Sequence, residues 1–92
     1  MSGIKVPAGH FAMLYFASAS SMTKKQDEFL PAPLKLSGLF DELDKRYPGI
    51  KDKILDSSAV TVNLEYVDVD DVSDVVIIEG DEVAIIPPVS SG

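Results

Sequence analysis

The sequence contains no cysteine, and His10 is its single histidine. The absence of cysteine excludes disulfides, thiol nucleophiles and thiolate metal ligands from this chain. A single histidine excludes a multi-histidine metal site and gives little support to a Ser–His nucleophilic pair. The groups that remain for chemistry are carboxylates, hydroxyls, amines and the chain ends.

Basic residues are also scarce, because 8 lysines and arginines stand against 15 aspartates and glutamates, for a net charge of −7. This balance disfavours nucleic acid and anionic membranes as partners and favours a protein partner with a basic surface. No apolar run approaches the roughly 18 residues of a membrane span. The opening MSGIKVPAGH does not have the pattern of a secretion signal. We therefore expect a soluble, cytoplasmic protein with no membrane partner.

One helix is predicted clearly. Apolar residues recur at the spacing of a stripe that is buried along one face of a helix, namely Leu36, Leu39, Phe40, Leu43 and Tyr47. Ser37 is predicted to be the N-cap, and Pro48-Gly49 is predicted to end the helix. Residues 17–26 (ASASSMTKKQ) are predicted to form a polar connection.

The strand pattern predicts the sheet. The strand that begins at His10 and the strand that ends at Ile86 are almost wholly apolar, so we expect them to lie side by side at the centre. Residues 27–36 carry prolines, which cannot donate to a ladder, so this segment belongs at a sheet edge or a sheet end. Residues 59–67 alternate and break at a tight turn near Asn63.

The expected organisation is a single α+β domain. A mixed sheet of four to five strands would carry the main helix across one face. We predict a flexible N-terminal segment over residues 1–9, the domain over residues 10–86, and an extended C-terminal tail over residues 87–92.

The acidic loop and the histidine are weak candidates for a site. Asp68, Asp70 and Asp71 begin like a calcium loop, but Ser73 stands where an EF-hand needs glycine and no helix pair flanks the loop. The opening position of His10 on an apolar strand is typical of a structural residue. We predict a solvated loop and no metal site.

One face of the sheet is predicted to stay uncovered. If Val83 and Ile85 face the helix, Ile86 faces away from it, and Leu14 and Phe16 do the same on the first strand. An apolar patch of this kind marks a protein interface, unless a loop or a second copy covers it.

The chain ends in GDEVAIIPPVSSG. Pro87-Pro88 ends ladder pairing and holds the chain extended, Val89 can anchor it, and Ser90, Ser91 and Gly92 add almost no bulk. This tail is shaped to thread a narrow channel and to present an unhindered glycyl carboxylate. The residues alone leave open whether the terminus is functional.

The terminal run, together with EYVDVDD, LYFAS and LFDELDKRYPGI, resembles the small subunits of molybdopterin synthase, the sulfur carriers of molybdenum cofactor biosynthesis. The similarity extends from about residue 11 to the end. It implies a ubiquitin-like β-grasp fold. The sequence departs from the family pattern at Ser91, because the family usually ends in Gly-Gly.

The resemblance implies a sulfur-carrying role for Gly92. A ubiquitin-activating-like adenylyltransferase and sulfurtransferase would adenylate Gly92 with ATP, and a sulfur donor would replace the adenylate to leave a thiocarboxylate. The large subunit would recognise the tail through Pro87, Pro88, Val89, Ser90 and Ser91. The sulfur would then pass to cyclic pyranopterin monophosphate to make molybdopterin. This implies a non-catalytic subunit of a heterotetramer, with no permanently bound cofactor.

Matching the strands to those of the family places Phe16, Tyr66 and Ile86 on the surface that meets the large subunit and the activating enzyme. Large aromatic residues at the centre of such a patch are common hot spots.

Two alternatives stay open. A related ubiquitin-like carrier or modifier, serving tRNA or thiamin thiolation or protein conjugation, would share the fold and the terminal glycine. A non-catalytic β-grasp interaction module would have an inert terminus. A stand-alone enzyme is disfavoured, because the sequence shows no acid–base pair and no metal cluster.

Overall fold

The structure, a computed structural model, describes residues 5–88 and every side chain within them except those of Val69 and Asp70. The strands and helices in chain order are β1 (His10–Tyr15), α1 (Ala17–Thr23), β2 (Asp27–Pro31), β3 (Leu34–Lys35), α2 (Leu36–Arg46), α3 (Ile50–Lys53), β4 (Ala59–Val62), β5 (Glu65–Tyr66), β6 (Val76–Ile77) and β7 (Glu82–Ile86). Two 3-10 helices lie between them, at Leu55–Ser57 and Val69–Asp74.

The main sheet has five strands in the order β2-β1-β7-β4-β5. β1 and β7 pair in parallel at its centre, as predicted, while β2 and β4 pair antiparallel to them, so the sheet is mixed. The proline-containing β2 lies at one edge, also as predicted. β3 and β6 form a separate two-stranded sheet. The predicted α+β class is therefore confirmed.

The hydrophobic core fills one side of the main sheet. On β1, Phe11, Met13 and Tyr15 alternate toward this side and belong to the core cluster. Helix α2 covers them with Leu36, Leu39 and Leu43, which are all buried. The predicted apolar stripe is confirmed, because these positions have the spacing that keeps one face of a helix against a sheet.

The predicted polar connection over residues 17–26 is wrong, because Ala17–Thr23 form helix α1. Ala19 is fully buried, and Met22, one turn later, packs against the core. Two serines separate these apolar residues, so the stripe is too short and too weak to show as helical periodicity. No helix within residues 5–88 is long and apolar enough to cross a membrane.

The predicted N-cap at Ser37 is also wrong. α2 begins at Leu36, its N-cap residue is Lys35, and no side chain caps it. The predicted end of the helix is confirmed, because α2 stops at Arg46 and Gly49 has a left-handed φ of 93°. Asp44 stabilises the turn, since its Oδ1 accepts hydrogen bonds from two backbone N–H groups at 3.1 Å.

The turn predicted near Asn63 is confirmed. Asn63 and Leu64 have positive φ angles of 52° and 73°, and they connect β4 to β5. Two successive left-handed residues are typical of a tight hairpin whose twist matches its strands. Gly80, in the turn before β7, also has a positive φ, of 87°.

Candidate functional site

The side of the main sheet opposite α2, named here the outer face, carries a continuous row of residues. Leu14 pairs with Asp27 of β2 and with Ala84 of β7. Ala84 in turn pairs with Thr61, and Thr61 pairs with Tyr66. Because paired residues point to the same side of a sheet, all five side chains lie on the outer face.

Phe16 and Ile86 belong to the same face by strand alternation, since each stands two residues beyond a member of that row. Phe16 is 49% exposed and Tyr66 is 72% exposed, while Ile86 is partly buried. The structure thus places Phe16, Tyr66 and Ile86 on one face, outside the core. Their contact with a partner stays a prediction.

Phe29 is an outer-face aromatic residue that sequence reasoning missed. It pairs with Ala12 on β1 and is 38% exposed, whereas its neighbour Leu30 is fully buried. The alternation in DEFLP is the sequence signal for this exposed ring, whereas the prolines of residues 27–36 indicate only that the strand lies at an edge or end of the sheet. The outer face therefore extends across β2.

The C-terminal tail starts at the edge of this face. β7 ends at Ile86, which pairs with Ala59, and the backbone N–H of Phe16 donates to the carbonyl of Ile85 at 3.3 Å. Pro87 is buried and Pro88 is exposed. The predicted recognition residues Val89, Ser90 and Ser91, and the predicted reactive Gly92, lie outside the described residues.

Carboxylates lie close to the ring of Tyr66. A groove of about 530 Å³ lies beside this ring, and its lining includes Glu65, Asp68 and Asp71. Within residues 5–88, the salt bridges involve other acidic residues, namely Glu28, Asp41 and Glu42. The surroundings of Tyr66 are therefore acidic, which suits a partner with basic side chains.

A polar network on the core side was not predicted. Tyr15 and Tyr47 both donate hydrogen bonds to Oε2 of Glu28, the latter at 2.7 Å, and Lys25 pairs with Oε1 at 3.2 Å. The rings of Tyr15 and Tyr47 meet edge to face, with their centroids 6.3 Å apart. The network ties the edge strand β2 to β1 and to the end of α2.

This network shifts the pKa values of its members. Burial raises the pKa of the Glu28 carboxyl, but the hydrogen bonds from Tyr15, Tyr47 and Lys25 outweigh it, so that the pKa is lowered. Burial, reinforced by the hydrogen bond to Glu28, raises the pKa of the Tyr15 hydroxyl far above its usual range. Glu28 is therefore an ionised structural acceptor, which argues against a role as a general acid.

The structure gives His10 a local backbone contact. Its Nδ1 lies 2.9 Å from the carbonyl oxygen of Ala8, at the start of β1. Among the described residues, no group of three or more histidines, aspartates and glutamates is placed to hold a metal ion.

The sequence comparisons with known proteins point to one family. The model of the ThiS family matches residues 13–92. The molybdopterin synthase sulfur carrier subunit of Phaeosphaeria nodorum is 62% identical over 96 residues, and the match covers 100% of each chain.

Solved structures support the same fold. Urm1 from Trypanosoma brucei matches with a TM-score of 0.70 and 22% identity, covering 100% of each chain. A chain from the complex of subunits 1 and 2 of the molybdopterin-converting factor from Helicobacter pylori matches with a TM-score of 0.62 and 22% identity, covering 90% of this chain and 99% of that one. The predicted ubiquitin-like β-grasp fold is therefore confirmed.

Proposed function

The chain belongs to the ThiS family, among the molybdopterin synthase sulfur carrier subunits, and we propose that it carries sulfur as a thiocarboxylate on Gly92. The sulfur passes to cyclic pyranopterin monophosphate in the active site of a large subunit, which makes molybdopterin. In this proposal the small subunit supplies the sulfur and the docking surface, the large subunit supplies the catalytic groups, and the reaction takes place in the cytoplasm.

Activation of Gly92 needs a second partner. A carboxylate is ionised at neutral pH and is a poor electrophile, since its pKa is about 3.3–3.7. An activating enzyme joins the carboxylate to the AMP part of ATP and releases pyrophosphate. A sulfide equivalent then displaces AMP, and the product is the thiocarboxylate. ATP is thus a substrate of the activating enzyme, and the carrier holds no cofactor of its own.

The observation that carries this proposal is the continuity of the outer face with the tail. β7 contributes Ala84 and Ile86 to the outer face, and the chain continues directly from Ile86 into Pro87-Pro88. A partner that covers Phe16 and Ile86 therefore receives the start of the tail at the border of the same contact. Fixing that start limits where Gly92 can reach, because Gly92 stands six positions after Ile86 in the sequence.

The large subunit is the partner that we assign to the outer face. The Helicobacter pylori relative occurs in a complex of subunits 1 and 2, and the Phaeosphaeria nodorum relative is named as a subunit of a synthase. The net charge of −7 favours encounter with a basic surface. We further propose the heterotetramer of two small and two large subunits that the resemblance implies.

The sequence identity with sulfur carrier subunits favours this function over the two alternatives. Relatives that share only the fold, such as Urm1 at 22% identity, do not distinguish one carrier or modifier from another. The full-length match at 62% identity does favour the molybdopterin synthase subunit. Ser91 is then a tolerated variation, because the residue that bears the carboxyl group is still Gly92, which has no side chain.

Intact mass spectrometry tests the proposal. The protein is measured before and after incubation with ATP, the activating enzyme and a sulfur donor. We expect a mass gain equal to the replacement of one oxygen by sulfur, located at Gly92 and absent from a chain that lacks Gly92. An unmodified protein in the presence of an activating enzyme that modifies its own carrier would contradict the proposal.

A further inference from the structure

Strand β2 adds two kinds of side chain to the outer face. Asp27 pairs with Leu14 and Phe29 pairs with Ala12, so both side chains point to the outer face. Asp27 is exposed, and Phe29 is 38% exposed. The part of the face that lies on β2 therefore combines a carboxylate with an aromatic ring.

A groove joins this part of the face to Phe16. It measures about 450 Å³ and is lined by Leu14, Tyr15, Phe16, Ala17, Ser20, Gln26 and Asp27. Apolar groups of Leu14 and Phe16 form part of its wall, and the carboxylate of Asp27 provides a negative charge. Such a combination fits a long basic side chain, which packs its aliphatic stem on apolar surface and keeps its charged head at a polar partner.

The charge of Asp27 is available to a partner. The salt bridges found within residues 5–88 do not include Asp27, and the nearby Lys25 is bound to Glu28 instead. A second copy of this chain is a poor occupant, because each copy would bring a net charge of −7 and its own Asp27 to the contact. A basic partner is the complementary one.

We propose that β2 extends the docking face and that the groove between Phe16 and Asp27 receives an arginine or lysine side chain of the large subunit. The stem of that side chain packs against Leu14 and Phe16, and its cationic head pairs with Asp27. Phe29 supplies an apolar contact beside it. This inference rests on the proposed function, and it names the chemistry that the large subunit must present.

The test is a calorimetric titration of the complete carrier with the large subunit of the same organism. We expect Asp27→Lys to raise the Kd about tenfold and Asp27→Asn about threefold, with a shallower salt dependence for Asp27→Asn. Asp52→Lys is the matched control, because Asp52 is an exposed acid on α3, away from the main sheet, and the change in net charge is the same. It should leave the Kd within about twofold.

A second pair of variants tests the apolar part. Phe29→Ala should raise the Kd about fivefold. Ile78→Ala should leave it unchanged, because Ile78 is 57% exposed but lies outside the strands of the main sheet. Thermal unfolding of each variant establishes that the fold is retained.

The outcomes separate this inference from the proposed function. Equal losses for Asp27→Lys and Asp52→Lys would overturn the groove contact, because net charge alone would explain them. Unchanged binding for the Asp27 and Phe29 variants, with Phe16→Asp still weakening it, would overturn the extension over β2 and leave the proposed face in place. The same variants are also titrated with the activating enzyme. If they weaken binding to that enzyme but not to the large subunit, the inference is overturned, because β2 then contacts a different partner.

Discussion

At the scale of single residues, Tyr15 and Phe16 are neighbours in sequence but lie on opposite sides of the sheet. Tyr15 is 2% exposed and belongs to the core, while Phe16 is 49% exposed on the outer face. Side chains alternate along a strand, so one position decides whether an aromatic ring stabilises the fold or stays accessible to a partner. Substitutions at the two positions should therefore have separable effects.

Phe16→Asp should weaken the association with the large subunit by about 2 kcal/mol, roughly thirtyfold in Kd, because it replaces an exposed ring of the outer face by a charge. The midpoint of thermal unfolding should stay close to that of the wild type. Calorimetric titration measures the first effect, and Ile78→Asp is the control at an exposed apolar position outside the main sheet. An unchanged Kd for Phe16→Asp would count against the outer face as the docking surface.

Glu28→Gln should lower the free energy of unfolding by about 2 kcal/mol at neutral pH, because two tyrosine hydroxyls and Lys25 lose a charged acceptor. The folded state holds the pKa of Glu28 below its ordinary value of 4.5, so the carboxylate contributes this stability above that value. This contribution is lost as the pH falls from 4.5, the ordinary pKa, through the lower pKa that Glu28 has in the folded state.

Urea unfolding of the wild type and of Glu28→Gln across this pH range measures the effect, and the difference between them should shrink toward acid. Glu42→Gln is the matched control, because Glu42 forms an exposed ion pair with Arg46 at 3.3 Å, which should contribute less than about 0.5 kcal/mol. A difference for Glu28→Gln that is independent of pH would rule out the ionised acceptor.

At the scale of elements, those with a strong apolar pattern could be predicted from the sequence. The stripe of α2 and the apolar strands β1 and β7 are examples. α1 could not be predicted, because its helical stripe consists mainly of Ala19 and Met22 between serines. The Tyr47–Glu28 contact could not be predicted either, since it joins residues 19 positions apart and depends on where α2 ends relative to β2.

Thr23→Val should destabilise the end of α1. The buried hydroxyl of Thr23 donates to the carbonyl of Ala19 at 2.9 Å and accepts from the backbone N–H of Lys25 at 3.2 Å. Valine has the same shape but leaves these groups unpaired, at a cost of about 1–2 kcal/mol in the free energy of unfolding. Urea unfolding measures it. Ser21→Ala, at an exposed position of the same helix, should change stability by less than about 0.5 kcal/mol.

At the scale of the whole molecule, the main sheet has the hydrophobic core and α2 on one side, and on the other side it exposes the rings of Phe16, Phe29 and Tyr66. The uncovered face could be predicted from the sequence, because one main helix cannot cover both sides of a sheet that is apolar on both. The role of the tail could not be predicted from folding physics, since a stable domain places no demand on its last residues. The proposed role rests on the terminal motif instead.

Deleting Ser91 and Gly92 should therefore separate sulfur transfer from binding to the large subunit. Among residues 5–88 the last paired residue is Ile86, and Pro87 is buried, so the deletion begins beyond this base of the tail and should leave thermal unfolding unchanged. The Kd for the large subunit should change only modestly, because the outer face stays complete. Molybdopterin formation with the activating enzyme, ATP and a sulfur donor should be abolished, whereas Ser91→Gly should retain it. An inert terminus would instead leave both activity and binding intact after the deletion. The two measurements together therefore decide whether Gly92 carries the sulfur.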